Sequence, residues 1–355
     1  MNTLIFYLDE NNLDYRILDS AAETIRHGGT VIFPTETVYG LGADALSSEA
    51  VGKIYTAKGR PSDNPLIAHI SCIDMLLYLI GEPISETARL LIDRFWPGPL
   101  TLIFKKSANV PAEVTAGLDT VAVRMPDNPI ALMLIEKSGR PIAAPSANLS
   151  GKPSPTMPEH VIADMNGRVD MILCGKQSRV GVESTVLDIS GGVPTILRPG
   201  GITYEELSGI LGEVNIDRGI LDKDTVPKAP GMKYTHYAPE AEMVIVKGKV
   251  EAVKKAVQEL ADKGAAAGKK VGVLTFDEAE GFYRNCNVIS LGSRNDIEAA
   301  AMNIFAALRE FDRLKVDIIY AEALEEKHIG AAVMNRMKKA AGFNIVEVDH
   351  HGECE

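Results

Sequence analysis

A chain of 355 residues is long enough for two domains, and its 46% hydrophobic and 24% charged content is that of an ordinary globular protein. A formal net charge of −11 argues against a large non-specific nucleic-acid surface, while a local basic groove stays compatible with it. No apolar run approaches the ~18 residues of a membrane span, and the short apolar stretch after Met1 lacks a basic flank, so a cytoplasmic protein without a signal peptide is expected.

Residues 1 to about 28 contain Asp14-Tyr15-Arg16-Ile17-Leu18 and then a helical pattern through Ala21, Ile25 and Arg26. Residues 30–33 predict a strand that feeds Pro34-Thr35-Glu36-Thr37-Val38-Tyr39-Gly40-Leu41-Gly42. A helix over 47–57 then leads to a basic turn, Lys58-Gly59-Arg60-Pro61-Ser62-Asp63-Asn64-Pro65, and a strand over 66–70. Two cations two residues apart, held between Gly59 and Pro61, suit a phosphate chain. An ordinary solvated turn with an incidental basic pair is the competing reading.

Helices are expected over 72–80 and 84–95, the second ending at Trp96-Pro97-Gly98-Pro99. Strands over 100–104 and 120–123, a helix over 130–138 and a strand over 141–144 follow. The last runs into the loop Pro145-Ser146-Ala147-Asn148-Leu149-Ser150-Gly151-Lys152-Pro153-Ser154. Strands over 169–174, 184–189 and 195–197 and a helix over 204–211 close a first domain, residues 1–211. Strands and helices mix without strict alternation, which favours a mixed twisted sheet with helices over a doubly wound fold.

Residues 212–240 lose periodicity and read as a linker. Its tail, Tyr234-Thr235-His236-Tyr237-Ala238-Pro239, carries rings that a free spacer does not need, so it reads as a lid or as a loop packed on its own domain. Residues 241–355 alternate strand and helix: strands over 243–246, 270–275, 317–320 and 344–348, helices over 250–262, 297–314 and 331–339. That is the pattern of a smaller parallel-sheet, Rossmann-like α/β domain. The tail His350-His351-Gly352-Glu353-Cys354-Glu355 reads as a frayed terminus before it reads as a metal site.

Familiar nucleotide and hydrolase signatures are missing. Gly40-Leu41-Gly42 lacks a third glycine, Gly151-Lys152 is followed by Pro153, and no H-E-x-x-H or G-x-S-x-G occurs. Cys72, Cys174, Cys286 and Cys354 have neither zinc-site nor redox spacing. What remains is a set of polar residues in loops and at strand ends. It comprises Thr37, Lys58, Arg60, Asn64, His69, Thr120, Arg124, Ser146, Asn148, Ser154, Ser184 and Arg198. Singly, each has a bland reading: a core histidine, turn formers, surface ion pairs. Together they suit an anion-binding cleft beside apolar strands.

These stretches resemble the YrdC-like domain family. The resemblance is carried by residues 34–69 with Lys58-Gly59-Arg60-Pro61 and Asn64-Pro65-Leu66, Pro97-Gly98-Pro99-Leu100-Thr101 and Val123-Arg124-Met125-Pro126. It continues in Ala144-Pro145-Ser146-Ala147-Asn148-Leu149-Ser150-Gly151, Ser184-Thr185-Val186 and Leu197-Arg198-Pro199-Gly200. With the linker and second domain, the whole resembles the two-domain form of the threonylcarbamoyl-AMP synthases. The resemblance implies synthesis of threonylcarbamoyl-adenylate from L-threonine, bicarbonate and ATP, with release of pyrophosphate. It implies a partner transferase that modifies tRNA, with direct tRNA binding left open. It places L-threonine near Thr37, His69, Arg124, Ala144 and Ser184. It places ATP near Lys58, Arg60, Asn64, Thr120, Ser146, Ser154 and Arg198, with Tyr237 closing over the nucleotide and Lys58 and Arg60 acting on the phosphates. No carboxylate cage for a metal is evident, so Mg²⁺ is expected to arrive on ATP.

Two rival readings stand beside it. One is a tRNA- or double-stranded-RNA-binding module without catalysis, against which the acidic balance speaks. The other is a carbamoyl-transfer protein of the hydrogenase-maturation kind, whose cysteine-rich zinc motifs this chain lacks.

Overall fold

The computed structural model describes residues 1–217 and 237–348. Most of the ring-bearing linker run, through His236, and the tail from Asp349 lie outside the described residues. The chain divides into two units, one of Met1–Ser150 and Ser154–Tyr234, the other of Gly151–Pro153 and Thr235–Glu355.

The first unit opens with β1 (Leu4–Tyr7), α1 (Tyr15–Arg26), β2 (Val31–Phe33), β3 (Gly40–Asp44) and α2 (Ser48–Lys58). Next come β4 (Ile67–His69), α3 (Ile73–Leu79), α4 (Glu86–Phe95), β5 (Leu100–Lys105), α5 (Ala112–Thr115) and β6 (Thr120–Arg124). It continues with α6 (Pro129–Ser138), β7 (Ile142–Ala143), α7 (Pro158–Met165), β8 (Met171–Cys174), β9 (Thr185–Asp188), β10 (Thr195–Arg198), α8 (Tyr204–Leu211) and β11 (Asn215–Ile216). The strands form one mixed sheet in the order β1-β8-β2-β3-β7-β4-β6-β5-β9-β10-β11. β4 and β6 run parallel, while β5 and β6 run antiparallel, as the lack of strict alternation implied.

Strand β3 has no counterpart in the sequence reading, because its two glycines weaken the strand signal. The structure needs one of them. A Cβ on Gly42 would stand 2.6 Å from Ile142 Cγ2 and 2.7 Å from a Phe33 ring carbon. The basic turn is also corrected at its start. Lys58 is the last residue of α2, and Gly59 caps that helix in the left-handed region at φ 62°.

The two faces of this sheet are filled differently. Ala68, Leu100, Leu102, Phe104, Val121, Val123, Ala143 and Leu187 belong to the larger apolar core. Alternation therefore sends their neighbours to the opposite face. There α1 and α6 pack over Val31, Phe33, Ile142, Ala144, Met171 and Leu173. The same face continues across β4, β6, β5, β9 and β10, where Ile67, Ile103, Ala122, Val186 and Leu197 make a small separate cluster. Helix α6 starts firmly: Asn128 Oδ1 accepts from the N–H groups of Ile130 (2.9 Å) and Ala131 (3.2 Å), and Pro129 stands at the first position.

The second unit contains β12 (Glu242–Gly248), α9 (Val250–Ala266), β13 (Val271–Thr275), α10 (Asp277–Glu280), β14 (Asn287–Ser290), α11 (Ile297–Leu314), β15 (Ile318–Glu322), α12 (Ile329–Ala340) and β16 (Ile345–Val348). All its pairings are parallel, in the order β14-β13-β15-β12-β16. Regular strand–helix alternation gives this sheet, as expected. β14 is absent from the sequence reading; its four residues are all half-buried and carry no strong apolar run.

Asn128→Ala should lower the unfolding free energy by about 1–2 kcal/mol, the usual worth of a cap. The variant also loses the 2.9 Å bond from Asn128 Nδ2 to Glu10, and urea titration reads the sum.

Candidate functional site

Register brings five of the expected polar residues, His69, Thr120, Arg124, Ser184 and Arg198, onto the sheet face that α1 and α6 leave to other side chains. His69 pairs with Arg124, and Ile67 with Ala122, across β4 and β6. Ile103 pairs with Ala122 on β5, and Thr101 with Val186 on β9. Residues two apart share a face, so His69, Thr101, Thr120, Arg124 and Ser184 all project the same way. A bulge between Ile196 and Arg198 lets Arg198 pair with Val186, and its guanidinium joins the set. Thr120 stands at the other end of β6 from Arg124, about 13 Å away at the usual strand rise.

Arg124 is only 3% exposed and bonded to several groups. Its Nε donates to Gly98 O at 3.2 Å, and Nη1 donates to Thr37 Oγ1 at 2.9 Å. Its Nη2 stands 2.6 Å from Glu36 Oε1, an ion pair not aligned as a hydrogen bond. Thr37 is set in turn by Thr35, whose hydroxyl lies 2.9 Å from that of Thr37 and donates to Val38 O at 2.6 Å.

His69 is buried beside Arg124. Burial, and then the Arg124 charge, push its pKa down to about 3. Nδ1 faces the Ile67 carbonyl at 3.2 Å, an acceptor only, so Nδ1 carries the proton and Nε2 keeps its lone pair. The ring is a neutral hydrogen-bonding group at pH 7, edge-on to Phe33.

Ser184 and Arg198 are locked together. Arg198 Nη2 donates to Ser184 O at 3.0 Å and to Ser184 Oγ at 3.1 Å, and Ser184 Oγ lies 2.7 Å from Thr101 Oγ1. Gly200 makes this possible. A Cβ there would meet Glu183 O and Thr185 N at 2.3 Å, so only glycine lets the chain pass so close. Ser154 Oγ donates to Glu183 Oε1 at 2.6 Å.

Lys58 is 3% exposed, not a cation of an open turn. Its ammonium donates to the carbonyls of Ser146 and Asn148, the second at 2.7 Å, and so fixes the Ser146-Ala147-Asn148 loop. Ser146 Oγ donates to Asn148 Oδ1 at 2.6 Å. Arg60, half-buried, donates from Nη2 to Asn64 O at 2.9 Å. The Asn64 side chain is 1% exposed, and neither its amide nitrogen nor its amide oxygen has a protein partner. Such orphaned groups cost about 1–3 kcal/mol each, a cost that a bound ligand would remove. Ala144 donates its N–H to Ile67 O at 2.9 Å at the margin of the α1–α6 core.

Tyr237 lies in the second unit. Its ring is 5.2 Å from that of Phe305, and the Arg336 guanidinium stands 5.5 Å from its centroid. The other expected residues lie in the first unit. Sequence reasoning gave no role to Glu36, Thr101 or Glu183. The available signal was an acid beside a site hydroxyl in an otherwise apolar or hydroxyl-rich stretch: Glu36 before Thr37, Glu183 before Ser184. Among the described residues no group of three His, Cys, Asp or Glu side chains is placed to hold a metal ion. Nor is any described helix long and apolar enough to cross a membrane.

Residues 23–200 match the family model described as Telomere recombination, and residues 202–342 that described as Threonylcarbamoyl-AMP synthase, C-terminal domain. The chain is 51% identical over 347 residues to a threonylcarbamoyl-AMP synthase of Pyrococcus abyssi, covering 98% of this chain and 100% of that one. It is 50% identical over 339 residues to the Bacillus subtilis protein of the same name, covering 95% and 96%. The crystal structure of P. abyssi Sua5 complexed with L-threonine superposes with a TM-score of 0.93 at 49% identity, covering 98% of this chain and 100% of that one.

Two outcomes test the site's construction. Between pH 6.5 and 3 the unfolded chain protonates His69 and the folded chain does not. Stability present above pH 6.5 is therefore lost as pH falls, by up to about 1.4 kcal/mol per pH unit. His69→Gln should show a flatter stability profile than the wild type between pH 4.5 and 7; parallel profiles would refute the buried neutral imidazole. Gly200→Ala should push Ser184 and Arg198 off register, with a melting temperature several degrees lower, roughly 2–3 kcal/mol of stability.

Proposed function

The chain belongs to the threonylcarbamoyl-AMP synthase family, and we propose how its first unit carries out that synthesis. The reaction joins L-threonine, bicarbonate and ATP into threonylcarbamoyl-AMP, releases pyrophosphate, and serves tRNA modification. The relatives carry this reading, and nothing in them favours an RNA-binding module without catalysis.

The observation that carries the site assignment is the buried Arg124 guanidinium with Thr37, His69 and Ser184 on the same side of the sheet. Arg124 pairs with the threonine carboxylate. Hydroxyls of Thr37 and Ser184 and Nε2 of His69 read the substrate's own hydroxyl and amine, with Ala144 against its carbon chain. A valine-like analogue leaves those buried groups unpaired and is rejected. ATP lies on the side of Thr120, Lys58, Arg60, Asn64, Ser146, Ser154 and Arg198. The threonine amine adds to bicarbonate, giving a carbamate and water. A carbamate oxygen then bonds to the α-phosphorus as the α–β bridging bond breaks, and pyrophosphate leaves.

Arg60 and Arg198 offset charge on the phosphates, and positioning supplies most of the rest. Lys58 contributes its charge while holding the 146–148 loop. The Mg²⁺ of this reading is one carried by the phosphate oxygens of ATP. When bound, that ion supplies charge neutralisation to ATP. Water must be kept from the carbamate and the adenylate, the role the resemblance gives to Tyr237. The product passes to a transferase acting on tRNA, and the reaction is placed in the cytoplasm.

Pyrophosphate release should require ATP, bicarbonate and L-threonine together; release at full rate without threonine would refute the reading. Arg60→Ala should cut that rate by roughly 10²-fold while the fold stays intact. Lys58→Ala should also lose stability, about 1–3 kcal/mol, because two loop carbonyls lose their donor.

A further inference from the structure

Glu36 is 2% exposed, and no hydrogen-bond donor reaches either of its carboxylate oxygens. Its one charged contact among the described residues is Arg124 Nη2 at 2.6 Å. Burying a carboxylate with so few donors is expensive unless a ligand completes it. Its backbone is held firmly: the Glu36 carbonyl accepts from Val180 N–H at 2.8 Å, and Ser178 Oγ donates to Thr35 O at 2.9 Å. The side chain thus stays beside Arg124.

Substrate chemistry makes a complementary demand. An α-amine titrates near pH 8 or above, so threonine arrives mainly as its ammonium form. An ammonium has no lone pair and cannot add to bicarbonate. His69 is a poor acceptor for that proton, since burial keeps the ring neutral down to about pH 3. Arg179 beside Val180 is paired with Asp127, and Arg198 is bonded to Ser184 further along the face.

We propose that Glu36 binds the threonine ammonium and takes its proton, leaving Arg124 to the carboxylate. This rests on the placement of threonine at Arg124 argued above. One N–H bond of the ammonium breaks and one O–H bond forms on Glu36. The free amine then adds to bicarbonate, giving carbamate and water, and Glu36 passes its proton to solvent before the next turnover. The two charges of the zwitterion thereby meet two opposite charges already set side by side.

The test compares the wild type with Glu36→Gln and Glu36→Asp. Calorimetry measures binding of L-threonine and of 3-hydroxybutyrate, which keeps the carboxylate and hydroxyl but lacks the amine. The wild type should prefer threonine by roughly tenfold or more, and Glu36→Gln should lose that preference while still binding 3-hydroxybutyrate. At pH 7, kcat/KM for threonine should fall by about 10²-fold or more in Glu36→Gln and climb toward pH 8.5 more steeply than in the wild type. Glu36→Asp should recover part of both. Unchanged discrimination and an unchanged pH profile in Glu36→Gln would overturn the proposal. So would loss of both ligands, which makes Glu36 only the counter-ion that positions Arg124. A wild type that binds neither ligand sinks the placement of threonine itself, a result visible before any variant is made.

Discussion

A guanidinium buried to 3% exposure must be surrounded by acceptors, and Arg124 imposes that demand on the first unit. Its acceptors come from two separate stretches: Gly98 after the α4 stop, and the adjacent Glu36 and Thr37 in the loop after β2. None is near Arg124 in sequence, so the sheet must be assembled before the charge is satisfied. The strand order achieves this. β6 lies between β4 and β5, and the loops that follow β2 and α4 reach its carboxyl end. The cost of leaving Arg124 unpaired ties the order of strands to the geometry of the site.

The division of the sheet's second face follows from the same logic. Where α1 and α6 cover it, the residues are Val, Phe, Ile, Met and Leu. Past Ala144 it carries an apolar cluster, Ile67, Ile103, Ala122, Val186 and Leu197, among Arg, His, Thr and Ser side chains. An apolar floor with a few fixed polar groups is the usual make-up of a small-molecule site. Fixing is visible in the bonds. Lys58 ties the 146–148 loop, Arg198 ties Ser184, and Thr35 ties Thr37. Rigid first contacts are what reactions governed by positioning require.

The second unit's fold was legible almost strand for strand, since its helices and buried strands alternate with clear periods. The first unit was legible in its longer elements, not in β1, β3, α5, α7 or β11, and not in its order, because a mixed sheet joins strands distant in sequence. β3 escaped because glycine is disfavoured in strands, yet Gly42 is demanded by the closeness of Phe33 and Ile142. Lys58 was read as an exposed cation because its carbonyl partners lie 88 and 90 positions away. The site hydroxyls and arginines could be picked out as a group, and the resemblance supplied their roles. Glu36 and Glu183 could not, since an acid's meaning depends on the cation or hydroxyl that faces it. Register alone reveals that.

Two of the buried carboxylates, Glu322 and Glu36, are held in opposite ways, and the contrast bears on how function is held. Glu322, at the end of β15, is fully paired: Oε1 accepts from the hydroxyls of Thr275 and Tyr283, the latter at 2.6 Å, and Oε2 meets Arg294. Burial and the Glu322 charge push the Tyr283 phenol well above its usual pKa, so it stays a donor at any ordinary pH. The Arg294 guanidinium is itself stacked 4.1 Å from the Phe276 centroid. That network joins the ends of β13 and β15 to the loops that carry Tyr283 and Arg294. Glu36 has the opposite character: an immobile backbone, one cation beside it and two oxygens without donors. A saturated buried charge adds specificity to a fold, whereas an unsaturated one weakens it. The weaker arrangement persists in the unit proposed to perform the chemistry, where a substrate carrying both charges can complete it.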